Sequence, residues 1–313
     1  MNGRLRAWIE LTRPFTLLPP AIGMVSGACS ALGAGRAEPS LPGPRAALSV
    51  ALGALTAALL NAASNALNQI HDLAIDRVNK PERPLPRGAL TVREARVATL
   101  ALYVAAVAAA FFTGPPGRRE VGWIVVFTAF ATWAYSAPPL RARNSWWLGP
   151  LVIALPRGLL LKVAGWGTLA SIFDDREPWV LGAVFFVYVL GAAPTKDFSD
   201  MEGDRLGGCA SLPVRFGAAR AARVIAPFLP LPGLLLAALP SIVVDGRPLL
   251  GLPPWPAAAV GLGLAAHGAS LARFMTRETA ALCDPRDRRV WRGMYLLMME
   301  LQTAAAALYF VGG

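Results

Sequence analysis

The sequence predicts an all-α polytopic membrane protein, and three observations predict it. Apolar residues make up 55% of the chain and charged residues only 16%, where a soluble domain carries about a quarter. The apolar residues come in long runs, several reaching the roughly 20 residues needed to cross the hydrocarbon core. The basic residues lie between those runs rather than among them. A net charge of +11 therefore reads as topology signals and as contacts for anionic head groups or phosphates, not as a nucleic-acid surface.

By the length rule, about nine spans lie near residues 15–34, 46–70, 94–113, 120–137, 146–168, 178–196, 219–242, 249–273 and 290–311. Residues 3–13 carry Arg4, Arg6 and Arg13, but Trp8 and Glu10 interrupt them, so this segment is read as an interfacial helix rather than a leader. Pro19 and Pro20 fall in the first span, and Pro227, Pro230, Pro232 and Pro240 in the seventh. Membrane helices tolerate them where neighbours satisfy the freed backbone groups. With nine spans, one face holds the N-terminus and the even-numbered loops, and about 22 of the 30 basic residues fall there. The excess predicts that this face is cytoplasmic. Cys29, Cys209 and Cys283 are odd in number and widely spaced, giving no disulfide framework or zinc site. Trp146 and Trp147 read as interfacial anchors and His267 as a packed helix histidine.

Two polar segments on the basic face resemble each other. One reads Asp72-Leu-Ala-Ile-Asp76-Arg77, followed by Leu85-Pro86-Arg87; the other reads Asp200-Met-Glu-Gly-Asp204-Arg205, followed by Leu212-Pro213-Val214-Arg215. Four spans separate them, so they share an orientation, as a parallel internal repeat with halves near 1–137 and 138–313 would give within one domain. Two loops shaped alike by function alone would look the same.

Asn68, Asp72 and Asp76 are spaced i, i+4, i+8 and fall on one face of a helix. Asp197, Asp200 and Asp204 repeat the pattern at spacings of three and four, with Glu202 pointing elsewhere. Carboxylates at the end of an apolar helix are costly unless paired or ligated, and six repel one another. Their complement is a hard divalent cation such as Mg2+, which completes its shell with water and phosphate oxygens. Arg77, Lys80, Arg83, Lys196 and Arg205 stand around these acids as phosphate contacts. Acids for a metal and bases for phosphate at a membrane surface suggest a lipid with a diphosphate head.

At this point the residues resemble a known family. The run Asn68-Gln-Ile-His-Asp72-Leu-Ala-Ile-Asp76-Arg-Val-Asn79-Lys80 is similar to the NxxxDxxxD signature of the UbiA-type intramembrane prenyltransferases. Lys196-Asp197-Phe-Ser-Asp200-Met-Glu-Gly-Asp204-Arg205 resembles their second Asp-rich motif, and Tyr135-Ser136-Ala-Pro-Pro-Leu-Arg141 their tyrosine element, with Arg141 where many members carry Lys. The resemblance implies nine helices around a central cavity. It implies Mg2+-dependent transfer of a prenyl group from an allylic diphosphate, with Asn68, Asp72 and Asp76 at one metal–diphosphate site and Asp197, Asp200 and Asp204 at the other. Lys80, Arg83, Arg141, Lys196 and Arg205 become diphosphate contacts. Tyr135, and more weakly Trp133, would steady the allylic cation through its ring face, inside a cavity kept dry.

Arg157 and Lys162 lie within the fifth span, where cations point to function. The stretch from Arg157 to Leu160 resembles the homogentisate branch of that family, whose acceptor is an aromatic acid. Arg157 is expected to hold an acidic acceptor or the diphosphate; the alternatives are a structural pair with Glu300 and a Lys162 that snorkels. The expected acceptor is an aromatic or quinone precursor. The same fold with a lipid glycerol phosphate or a tetrapyrrole acceptor, and a terpene cyclase needing none, remain open. A transporter would place its carboxylates at the midplane of broken helices instead.

Overall fold

The computed structural model describes residues 3–311 and is helical almost throughout. An N-terminal helix α1 (Gly3–Thr12) turns at Arg13 into a short 3-10 turn (Pro14–Leu17) and then α2 (Leu18–Gly33). Pro19 and Pro20 sit in its first turn, where a missing N–H costs nothing. Helix α3 (Gly43–His71) is the longest, and α4 (Leu73–Asn79) continues it after a break at Asp72. A Thr91–Glu94 capping box starts α5 (Val92–Ala110), and α6 (Glu120–Ser136) follows.

The next span is interrupted. Helix α7 (Leu148–Ala154) runs into a π turn (Leu155–Leu160) and emerges as α8 (Leu161–Gly167). Pro156 removes a backbone donor there, and π turns concentrate at functional positions. Gly158 is required by packing: a Cβ would lie 2.5 Å from the Phe186 Cα on α9 (Glu177–Ala192). After a 3-10 turn (Ala193–Phe198) come α10 (Met201–Leu206), α11 (Leu212–Phe216), α12 (Ala218–Ile225) and α13 (Leu231–Ala238). An Asp245-Gly246 turn closes a two-stranded hairpin, β1 (Val243–Val244) with β2 (Arg247–Pro248), in the stretch between the seventh and eighth expected spans. Helices α14 (Pro254–Arg277), α15 (Thr279–Cys283) and α16 (Arg289–Leu308) complete the chain.

Five helical runs, at residues 3–33, 43–71, 148–167, 177–198 and 218–241, are long and apolar enough to cross a membrane by length and composition. Helix α6 misses that standard at 17 residues, and α5 because Arg93, Glu94 and Arg96 crowd its first turn. The largest core cluster joins α9, α12, α13, α14 and α16; a second joins α2, α3, α5 and α6. The two Asp-bearing segments meet, with α4 packed on α10.

Candidate active site

The two Asp motifs are built alike. Asp72 has φ −99° and ψ 12°, and Asp200 has φ −103° and ψ 3°; each ends one helical run and starts a short helix. Each carbonyl still accepts from the acid four residues on, Asp76 N–H at 2.7 Å and Asp204 N–H at 3.0 Å. The sequence reading placed each triplet on one helix face. In the second triplet, residues 193–198 wind as a 3-10 turn, and Asp197 lines a small pocket with Tyr135, Arg143, Trp146 and Lys196.

Basic side chains tie the motifs together. Arg83 donates to both Asp76 oxygens, at 2.8 and 2.6 Å. Lys80 crosses from the first motif to pair with the Asp200 carboxylate. Arg141 reaches Asp72 at 3.2 Å and the His71 carbonyl at 3.1 Å, and Asn68 donates to Asp72 at 2.6 Å. Lys196 donates to the Tyr135 hydroxyl at 3.0 Å and lies 5.4 Å from its ring centre. Arg205 and Glu202 are exposed, and Arg205 reaches none of these acids among the described residues.

Two residues the sequence reading passed over hold this array. Arg143, counted there only as a topology charge, pairs with Asp72 through one guanidinium nitrogen and with Asp204 through the other at 3.1 Å. Its loop is fixed by the Ala210 N–H, which donates to the Asn144 carbonyl at 3.0 Å. Asn79 donates to the Asp200 carbonyl and accepts from the Gly203 N–H, both at 3.0 Å. Gly203 permits this approach, because a Cβ there would lie 2.5 Å from the Asn79 amide nitrogen. The motif quoted Asn79, so its amide was the available signal; Arg143 had none.

Burial sets the electrostatics. Asp72, Asp76 and Asp204 are 2, 3 and 1% exposed. Burial pushes the Asp204 carboxyl up, with Arg143 opposing. Burial works the same way on Asp200, but the Lys80 ammonium together with Lys196 and Arg83 outweighs it and holds that carboxyl below the usual range. Burial in turn pushes the Lys80 ammonium down. The donor set is all oxygen, and among the described residues no three acidic, His or Cys side chains form a ready cage. That fits Mg2+, which holds few carboxylates and fills its shell with water and phosphate oxygens.

Arg157 lines an apolar cavity of about 60 Å³ between α2, α3, α6 and the interrupted helix, and donates to Asn61 Oδ1 at 2.7 Å. The alternative pairing with Glu300 is overturned: Glu300 bonds His267 at 2.7 Å, so that histidine is half-exposed and paired rather than simply packed. Lys162 does not snorkel. It is 1% exposed, donates to Ser26 and sits 4.3 Å from the Phe185 ring centre, because α8 is wedged against α2. Trp133 is exposed against Phe130 and lines neither of these two cavities. Trp147 is exposed as an anchor would be, whereas Trp146 reaches the Tyr135 pocket.

The backbone is strained at two arginines beside the site, Arg13 (φ 56°) and Arg141 (φ 38°). Such residues persist where their surroundings over-determine them. Around Arg13 an amide ladder on α3 does so. Gln69 donates to the Leu11 carbonyl at 2.8 Å, Asn65 to Thr12 O and Thr16 Oγ1, each at 2.9 Å, and Asn61 to Thr16 O at 2.8 Å.

The fold recurs in known proteins. A structure of a UbiA homologue from Archaeoglobus fulgidus bound to DMAPP and Mg2+ superposes with a TM-score of 0.69 at 18% identity, covering 96% of this chain and 99% of that one. A digeranylgeranylglyceryl phosphate synthase structure gives 0.68 at 21% identity, covering 98% and 99%. At such identities the likeness is one of fold. In sequence, the bacteriochlorophyll synthase 33 kDa chain of Cereibacter sphaeroides is 31% identical over 78% of this chain and 76% of its own. The digeranylgeranylglyceryl phosphate synthase of Thermococcus kodakarensis is 30% identical over 77% and 83%. The profile of the UbiA prenyltransferase family matches residues 17–292, from the turn after Arg13 into the last helix and across both Asp motifs. The chain is a membrane-embedded prenyltransferase and belongs to the UbiA family.

Proposed function

We propose that this enzyme transfers a prenyl group from a prenyl diphosphate to the carboxylate of a tetrapyrrole, with Mg2+ as cofactor. The observation that carries the donor half is the cross-tied pair of Asp motifs at the apolar bundle's seam. Asn68, Asp72 and Asp76 on one side and Asp197, Asp200 and Asp204 on the other would hold Mg2+, which would supply neutralisation of the charge on the diphosphate oxygens. Lys80, Arg83, Arg141 and Lys196 turn from carboxylates and Tyr135 toward those oxygens; Arg205, exposed, is the outermost contact. The C1–O bond of the donor breaks, its electron pair leaves on diphosphate, and an acceptor oxygen bonds C1. An ionised carboxylate brings no proton to remove. The Tyr135 ring faces the developing allylic charge, and apolar walls exclude water. Arg157 orients the acceptor's anionic group.

The tetrapyrrole reading replaces the aromatic or quinone precursor expected from sequence, because the named relatives include bacteriochlorophyll and chlorophyll synthases. A second reading, a lipid glycerol phosphate, is favoured by the Thermococcus relative. The same reading takes nine spans in two related halves, with the N-terminus and both Asp motifs cytoplasmic.

The test is diphosphate release by the full chain in detergent, supplied with geranylgeranyl diphosphate, Mg2+ and one acceptor at a time. Release is expected with a free-acid chlorin and is abolished by EDTA and by Asp72→Asn or Asp200→Asn in folded protein. Release only with a glycerol phosphate lipid moves the acceptor to the second reading. Full activity in both Asp variants rejects the metal assignment.

A further inference from the structure

Trp291 and Tyr295 are one turn apart on α16 and so share a face. Their ring centres are 4.6 Å apart, and Phe15, from the turn after Arg13, joins them at 5.4 and 5.8 Å. The planes are tilted by 35–57° and Phe15 is 51% exposed, so the three rings form an open patch at the seam between the entry to α2 and α16. Aromatic residues at a membrane interface usually anchor singly. These three converge instead on one another, two residues along the chain from a guanidinium.

That guanidinium is Arg13. The amide ladder holds its backbone left-handed, and its side chain makes no hydrogen bond or ion pair among the described residues. Tyr295, Arg83, Arg157 and Asp200 lie within its electrostatic reach. Arg83 is taken up by Asp76 and Arg157 by Asn61, so Arg13 is the arginine here that calls for an anion, and the rings call for a flat conjugated surface. Of the two acceptors considered above, a glycerol phosphate lacks the ring, whereas a carboxylate-bearing tetrapyrrole has both ring and anion.

We propose that Phe15, Trp291 and Tyr295 form the platform on which the planar ring of the acceptor lies, with Arg13 receiving its carboxylate. The proposal rests on the tetrapyrrole reading above and places that acceptor beside the donor motifs, on the side of Asp200 and Arg83.

The test is a fluorescence titration of the full-length protein in detergent with pyropheophorbide a, a chlorin with one carboxylate. A parallel titration uses geranylgeranyl diphosphate with Mg2+. Phe15→Ala and Trp291→Ala should each weaken chlorin binding about tenfold, as lost ring contact of this kind does. Trp291→Phe should restore most of it, and donor affinity should not change, which also shows that the variants fold. Unaltered chlorin affinity in both alanine variants overturns the platform and leaves the tetrapyrrole reading standing. An equal loss of donor affinity overturns it in favour of a prenyl-tail contact. Wild-type protein that binds no chlorin, yet releases diphosphate with another acceptor, overturns both.

Discussion

Arg143→Met tests the central tie between the Asp motifs. The Arg143 side chain is 13% exposed, and its partners Asp72 and Asp204 are 2 and 1% exposed. This is a buried bridge, and breaking one by deleting a single partner costs about 3–5 kcal/mol, because an uncompensated charge stays behind. Asp72 retains Arg141 and Asn68, so the loss falls mainly on Asp204, and the lower end of the range applies. At about 2 °C per kcal/mol for a large chain, Tm should fall by about 6 °C. Asp204→Asn alone should cost far less, since Arg143 keeps Asp72 and burial already disfavours the Asp204 charge. Asp204→Asn placed on Arg143→Met should recover at least half of the loss, because the stranded charge is gone. Thermal unfolding of the four proteins in one detergent closes the cycle. Additive losses, or an Arg143→Met protein within about 1 °C of wild type, would refute the bridging role.

Arg157→Ala should raise the KM for a carboxylate-bearing acceptor more than that for the prenyl donor; steady-state kinetics with each substrate varied decides, and equal effects reject an acceptor contact. Gly203→Ala should drive its methyl into Asn79, loosen the tie between α4 and α10, and lower kcat/KM for the donor about tenfold; the same loss in Asn79→Ala would show that the two act as one unit. Arg13→Gly should raise Tm by about 2 °C, through relief of about 1 kcal/mol of left-handed strain, while weakening acceptor binding. A fall in Tm would mean that the Arg13 side chain stabilises the fold and that the turn is not strained.

The helical layout was legible because it rests on local quantities. Runs of apolar residues, prolines at run ends and basic residues between runs each act within one segment. Segments 46–70 and 146–168 therefore appear as helices at 43–71 and 148–167. The π turn was harder to see. Pro156 marked a lost donor, but whether a helix kinks, breaks or widens depends on what packs against it. Here Gly158 sits against the Phe186 backbone, a contact about 30 residues away in sequence. The break at Asp200 was hidden for a similar reason. A spacing of three and four fits one helix, yet tertiary contacts hold residues 193–198 in a tighter winding.

At the site the acids were legible and the cations only partly. A carboxylate at the end of an apolar helix carries its own argument, since its burial has to be compensated wherever the chain goes. A basic residue on the same face of the membrane is ambiguous, because topology and chemistry demand the same residue type. Thirty basic residues hid Arg143, and only the pinning of its loop to Ala210 distinguishes it from Arg205, which stays exposed. The amides show the opposite case. Asn61, Asn65 and Gln69 repeat at helical spacing along α3, just before the first Asp motif, and face inward. In a membrane helix each would be costly without a partner, a signal, unused in reading the sequence, for a second strand of backbone along that face. That strand is residues 11–16. Helix α3, which runs up to Asp72, thus also fixes the turn bearing Arg13, so the first Asp motif and the segment bearing the aromatic patch are both built from its end.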